Sequence, residues 1–139
     1  MKDKSVNIVK IGEIISDFKT IKQCPSNGWV VENVSSIVLN ECYVDGLEGI
    51  EEGMLLHVLW WFHLAERDML TGDIFTDNGV SEMGVFAMRS PQRPNPIALS
   101  LCEVIEVKKN IIVVRGLEAI SGSMVIDIKK AIQYHGFLL

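Results

Sequence analysis

The chain has 139 residues, 48% of them hydrophobic and 22% charged, with a formal net charge of −5; this suits one domain with a single buried core that needs no disulfide staple. The acidic balance, with no basic run longer than Lys108-Lys109 or Lys129-Lys130, argues against a domain that grips a nucleic-acid backbone unaided. Cys24, Cys42 and Cys102 are widely spaced and form no Cys-x-x-Cys, which speaks against a structural metal and for reduced thiols in a cytoplasmic protein.

The charged start, Met1 to Ser5, lacks the apolar core of a signal peptide. Val6–Ile14 alternates and predicts a first strand, and Ser16–Trp29, with Pro25, Asn27 and Gly28, predicts a loop. Ser36–Val44 predicts a second strand, and the acidic, glycine-bounded Leu47–Gly53 a short helical turn. Leu55–Leu64 is continuous and bulky, as in a central strand buried on both faces, with a buried helix as the alternative. The apolar stretch around it, Met54–Ala65, falls well short of the roughly 20 residues that span a bilayer. Glu66–Glu82 is polar and reads as a long loop able to act as a lid. Ile97–Val107 predicts a long strand with Ile97, Leu99, Leu101, Ile105 and Val107 on one face. Lys108-Lys109-Asn110 turns the chain, Ile111–Arg115 returns as a hairpin partner, and Met124–Lys129 follows the turn Ser121-Gly122-Ser123 as a last strand. Short strands with regular turn signals point to a mainly β fold.

The segment Met83–Ser100 (MGVFAMRSPQRPNPIALS) stands apart. Three of the four prolines, Pro91, Pro94 and Pro96, fall within it. Each fixes its own φ and restricts the residue before it, so Arg89 and Arg93 are presented on a stiff loop with little entropy left to lose. That arrangement suits a ligand site, while exposed ion pairing of the two arginines is the plainer alternative. Asn95, between two prolines, either contacts a ligand or bonds the backbone of its turn. His57 and His63 lie in an apolar stretch, where satisfied core histidines are commoner than ligands. Asp127 inside an apolar strand needs a partner; Lys129 shares its face, and the two are read equally as a structural ion pair or as catalytic groups.

GVFAMRSPQRPNPIALS resembles the signature of the TsaA-like (TrmO) family. Ile11-Gly12-Glu13-Ile14 with Phe18-Lys19, Leu47-Glu48-Gly49-Ile50-Glu51, Trp60-Trp61-Phe62-His63 and Asp127-Ile128-Lys129 resemble its other blocks, in the same order. The resemblance implies a single TsaA-like domain over 1–139: a small closed β-barrel of six or seven short strands, one or two short helical segments and a long polar loop. It implies an S-adenosylmethionine-dependent methyltransferase, working as a homodimer on RNA rather than DNA and away from membranes, that methylates threonylcarbamoyladenosine beside the tRNA anticodon. Cofactor contacts fall on His63, Leu64, Arg89 and Leu99, on Ser121, Gly122, Ser123 and Met124, and on Pro25, Ser26 and Asn27. Arg93 and Asn95 become substrate-binding candidates, and Asn95, Asp127 and Lys129 catalytic candidates; no metal is implied.

Several positions depart from the family pattern. Pro25-Ser26-Asn27 stands where the family has Pro-Arg-Gln, and Ser121-Gly122-Ser123-Met124 where it has Asp-Gly-Thr-Pro. These departures leave two alternatives beside a tRNA acceptor: a small or protein-bound acceptor, and a non-catalytic module that binds S-adenosylmethionine.

Overall fold

A computed structural model describes residues 4–26 and 32–138. Six strands close into an antiparallel barrel: β1 (Gly12–Ile15), β2 (Val34–Leu39), β3 (Leu55–Trp61), β6 (Ile97–Lys108), β7 (Ile111–Arg115) and β8 (Met124–Lys130). Their order around the barrel is β1-β2-β7-β6-β3-β8. Two hairpins stand outside it: β4 (Thr71–Thr76) with β5 (Gly79–Gly84), and β9 (Gln133–Tyr134) with β10 (Phe137–Leu138). Short 3₁₀ turns occupy Ile21–Gln23, Glu41–Leu47 and Val85–Ala87.

Period-two alternation builds the core. Ile14, Ile37, Leu56, Val58, Ile112, Val114 and Val125 point inward and are almost fully buried. Gly12 is needed for closure: a Cβ there would lie 2.6 Å from the Val38 carbonyl oxygen of the neighbouring strand. The indole N–H of Trp60 donates to Ser100 Oγ at 2.9 Å inside the barrel, so this buried polar pair is satisfied.

The barrel expected from the resemblance is present, but several boundaries differ. The first strand covers only Gly12–Ile15, whose residues are the ones in register with β2, although the Ile11 amide also donates to the Val125 carbonyl of β8 at 3.0 Å. The second strand ends at Leu39, and Glu41–Leu47, not Leu47–Gly53, forms the helical segment. Leu55–Leu64 is a strand only to Trp61, and its faces are unequal: Leu56, Val58 and Trp60 are buried, whereas Leu55, His57, Leu59 and Trp61 are half-buried. The polar segment Glu66–Glu82 is no open loop, since most of it enters the β4–β5 hairpin, with Asp73 opposite Glu82 and Phe75 opposite Val80.

The largest correction concerns β6. Ala98, Ser100, Cys102 and Val104 face the core, so Ile97, Leu99 and Leu101 face outward, with Leu99 43% exposed. A register shift between Val104 and Glu106 breaks the alternation that the full apolar series suggested. This register is testable: Val104→Ala should cost about 1–2 kcal/mol in urea unfolding, whereas Leu99→Ala should cost under about 0.5 kcal/mol.

Burial, and then the Glu118 carboxylate, push the Cys102 thiol well above the ordinary thiol range. The unfolded chain therefore releases a proton near pH 9 that the folded chain retains. Stability should fall as pH rises above about 9, and Cys102→Val should flatten that alkaline slope in unfolding measured by circular dichroism.

Candidate functional site

The loop after β5 holds itself together through guanidinium groups. Arg93 Nε donates to the Ser90 carbonyl at 2.8 Å, and its Nη2 donates to the carbonyls of Val85 and Met88, both at 2.7 Å. Arg67 approaches from the other side: Nε donates to the Pro94 carbonyl at 2.7 Å and Nη2 to Asn95 Oδ1 at 3.1 Å. Its guanidinium lies over the Trp61 ring, 5.2 Å from the centroid. The Glu66 amide donates to Gln92 Oε1. Prolines cannot donate a backbone hydrogen bond, so a loop with three of them is short of donors; side chains supply what the backbone lacks.

This braced loop flanks an open cavity of about 910 Å³. Cys24, Pro25 and Ser26 line it from the first loop, and Phe62, His63, Leu64 and Ala65 from the end of β3. Arg89 to Arg93 line it from the braced loop, Ile97 to Leu101 from β6, and Glu118, Ile120 and Ser123 from the approach to β8. The outward face of β6 thus supplies apolar wall rather than core. Such a volume, mostly apolar with a few placed polar groups, suits a small ligand.

Arg89 is exposed at the cavity, and its Nη2 donates to the Leu99 carbonyl at 2.8 Å. That bond fixes the head of the side chain against β6 and leaves the rest of its fork for a carboxylate. His57 also lines the cavity, and its Nδ1 is buried with no hydrogen-bond partner among the described residues. A buried polar atom without a partner is costly.

The cavity brings His63, Leu64, Arg89, Leu99, Ser123, Pro25 and Ser26 together; Asn27 lies outside the described residues. Ser121, Gly122 and Met124 are not in its wall. Their turn is tied back onto β1: Ser121 Oγ accepts from the Ser16 amide at 3.2 Å, the Gly122 amide donates to the Ile14 carbonyl at 2.7 Å, and Met124 pairs with Glu13. Gly122 adopts φ +95, a left-handed conformation that favours glycine.

The remaining candidates are placed differently from the sequence expectation. Arg93 reaches the cavity wall, but two of its nitrogens are committed to loop carbonyls. Asn95 is outside the wall and accepts from Arg67. Asp127 and Lys129 are also outside it and form an ion pair at 2.8 Å, with Asp127 Oδ1 accepting from the Ile128 amide. The pair is half exposed on the outer face of β8, so solvent and pairing meet its charge without any role in the cavity.

Two residues that sequence reasoning missed complete the arrangement. Arg67 is the one base among the five carboxylates of residues 66–82, and only its tertiary contacts with Trp61 and the loop reveal it as a brace. Glu118 follows Leu117 in an unremarkable apolar run, yet it is the one carboxylate among the described lining residues.

A six-stranded barrel with a guanidinium-bearing loop beside a ligand-sized cavity on its outer rim defines a small-molecule-binding β-barrel. Comparison with known proteins makes that class specific. The chain belongs to the tRNA-methyltransferase O N-terminal domain family, whose model matches residues 13–136; these are methyltransferases that use S-adenosylmethionine. An "S-adenosyl-L-methionine-binding protein" of Archaeoglobus fulgidus is 44% identical over 120 residues, covering 86% of this chain and 85% of that protein. The crystal structure of TrmO from P. aeruginosa superposes with a TM-score of 0.77 at 25% identity, covering 94% of this chain and 56% of that one. The "tRNA (adenine(37)-N6)-methyltransferase" of Escherichia coli is 31% identical over 134 residues, and the match spans 90% of this chain but only 57% of that enzyme. No helix among the described residues is long and apolar enough to cross a membrane.

The brace can be tested directly. Arg93→Ala leaves three carbonyls without their charged donor, each bond being worth about 1.5–3 kcal/mol. Amide hydrogen exchange should quicken across residues 85–95 while protection in β3 and β6 stays as in the parent.

Proposed function

We propose that this chain binds S-adenosylmethionine in the cavity between the braced loop and the barrel, and transfers its methyl group to the N6 position of threonylcarbamoyladenosine in tRNA. The observation that carries the reading is the exposed Arg89 fork, pinned on the Leu99 carbonyl beside an apolar wall of matching size. Arg89 would take the carboxylate of the methionyl end, since a planar fork pairs with a carboxylate in two parallel bonds. His63 and Leu64 would border the same ligand, and the orphaned Nδ1 of His57 supplies one further hydrogen-bonding group. The cofactor brings an activated methyl group on a sulfonium, which needs no metal. What this chain contributes is alignment: a preformed wall that holds the acceptor nitrogen close to the methyl carbon.

A second reading is favoured by the distribution of charge. Residues 66–82 hold five of the eighteen carboxylates and one of the thirteen basic residues, and so four of the five net negative charges of the chain. That segment leads directly into the loop that lines the cavity. A polyanion approaching over this arm would be repelled, whereas a small or protein-bound acceptor would not. A homodimer belongs to the same proposal and is supported by the terminal hairpin, where Phe137 is 72% exposed.

Titration calorimetry with S-adenosylmethionine should show saturable binding, and Arg89→Ala should weaken it by about tenfold or more, as for loss of a charge-assisted pair. Absence of binding by the parent protein would overturn the reading. Methylation assays on threonylcarbamoylated and unmodified tRNA then decide the acceptor. Turnover only on the modified tRNA supports the first reading, and failure to bind RNA even at low salt supports the second.

A further inference from the structure

Arg67 lies outside the cavity wall, yet it joins the parts that make it. It stands shortly after His63 and Leu64, which line the cavity at the end of β3. Its guanidinium rests over the Trp61 ring, 5.2 Å from the centroid. Trp61 is the last residue of β3 and pairs with Ile97 of β6, so the ring is part of the barrel. The same guanidinium donates to the Pro94 carbonyl at 2.7 Å and to Asn95 Oδ1 at 3.1 Å. One flat, charged group therefore fastens the proline loop to the barrel. Arg93 acts differently: it grips the carbonyls of Met88 and Ser90, on either side of Arg89, and so fixes the loop within itself. Two neutral bonds assist Arg67, from the Phe62 amide to the Pro96 carbonyl at 2.9 Å and from the Glu66 amide to Gln92 Oε1.

A loop stiffened by three prolines cannot absorb a shift locally; freed at one limb, it moves as a body. Arg89 belongs to that body, while its head is anchored on the Leu99 carbonyl of β6. A displaced loop would therefore drag the base of the Arg89 side chain away from its anchor. A two-bond pair with a carboxylate suffers from such misplacement, because both bonds need the fork and the carboxylate in one plane. We propose that Arg67 is a positioning residue for the cofactor. By riveting the Pro94–Asn95 limb onto Trp61, it holds Arg89 where its fork meets the carboxylate of the methionyl end, and it touches no ligand itself. This rests on the S-adenosylmethionine reading above and adds to it a residue that acts only through another.

The test is a double-mutant cycle on binding, with the parent, Arg67→Ala, Arg89→Ala and the two changes combined. Dissociation constants are measured for S-adenosylmethionine and for methylthioadenosine, which keeps the nucleoside and the sulfur but has no amino-acid end. Arg67 is exposed, so its truncation opens no core. Arg67→Ala should weaken S-adenosylmethionine by about fivefold or more and methylthioadenosine by less than about twofold, the scale of coupling between residues that act as a unit. In the Arg89→Ala protein the same change should add less than about twofold, because the group that Arg67 positions is already gone. Equal weakening of both ligands would overturn the inference, since Arg67 would then serve the cavity as a whole or only the fold. A full Arg67→Ala loss that persists without Arg89 would overturn it too, as would unchanged affinity in Arg67→Ala. Failure of the parent to bind S-adenosylmethionine would instead sink the cofactor reading and take this inference with it, so the two failures are distinguishable.

Discussion

The pairing register of β6 is the constraint on which the rest depends. Seven successive residue pairs lock it to β3, from Leu55 with Glu103 to Trp61 with Ile97. Because neighbouring side chains must point to opposite sides, that register sends Ala98, Ser100, Cys102 and Val104 into the barrel and turns Ile97, Leu99 and Leu101 out. The apolar residues on the outside are then free to wall a cavity. A slip by one residue would bury Leu99 and Leu101, expel the small residues that let the barrel close, and remove the wall together with the Trp60–Ser100 bond. Stability and site thus draw on one strand: its inner side chains fill the core, and Ile97, Leu99 and Leu101 from its outer side line the cavity.

The braced loop shows how a donor-poor backbone is completed. Prolines give stiffness but remove the amide groups that would bind nearby carbonyls. Arg93 and Arg67 answer this with forked donors that reach the carbonyls of Val85, Met88, Ser90 and Pro94. Arg89 alone of the three reaches across to β6, and it is the one whose position suits a ligand. Three arginines in one neighbourhood therefore divide into two structural groups and one that presents charge.

Much of this was legible in the chain, and the gaps have physical causes. Strand content and the rigid loop follow from alternation and from proline, both local properties. The inward face of β6 did not follow, because both of its faces offer apolar residues and the bulge near Ile105 hides the change of phase. The β4–β5 hairpin was hidden by its polarity; its strands are exposed on nearly every residue and show no buried face to betray them. Asp127 and Lys129 shared a face as expected, but which side of the barrel that face occupies depends on closure, a property of the whole sheet. Arg67 owes its role to Pro94 and Asn95, far along the chain, which spacing alone cannot reveal. The resemblance to the TsaA-like family placed the rim residues His63, Arg89 and Leu99 together, where local physics offered only separate candidates.

The indole of Trp60 is sealed within the barrel, pinned on Ser100, and also forms part of the cavity wall. With Trp29 and Trp61 replaced by Phe, the emission of Trp60 would report on what fills that wall, with no dye or label attached.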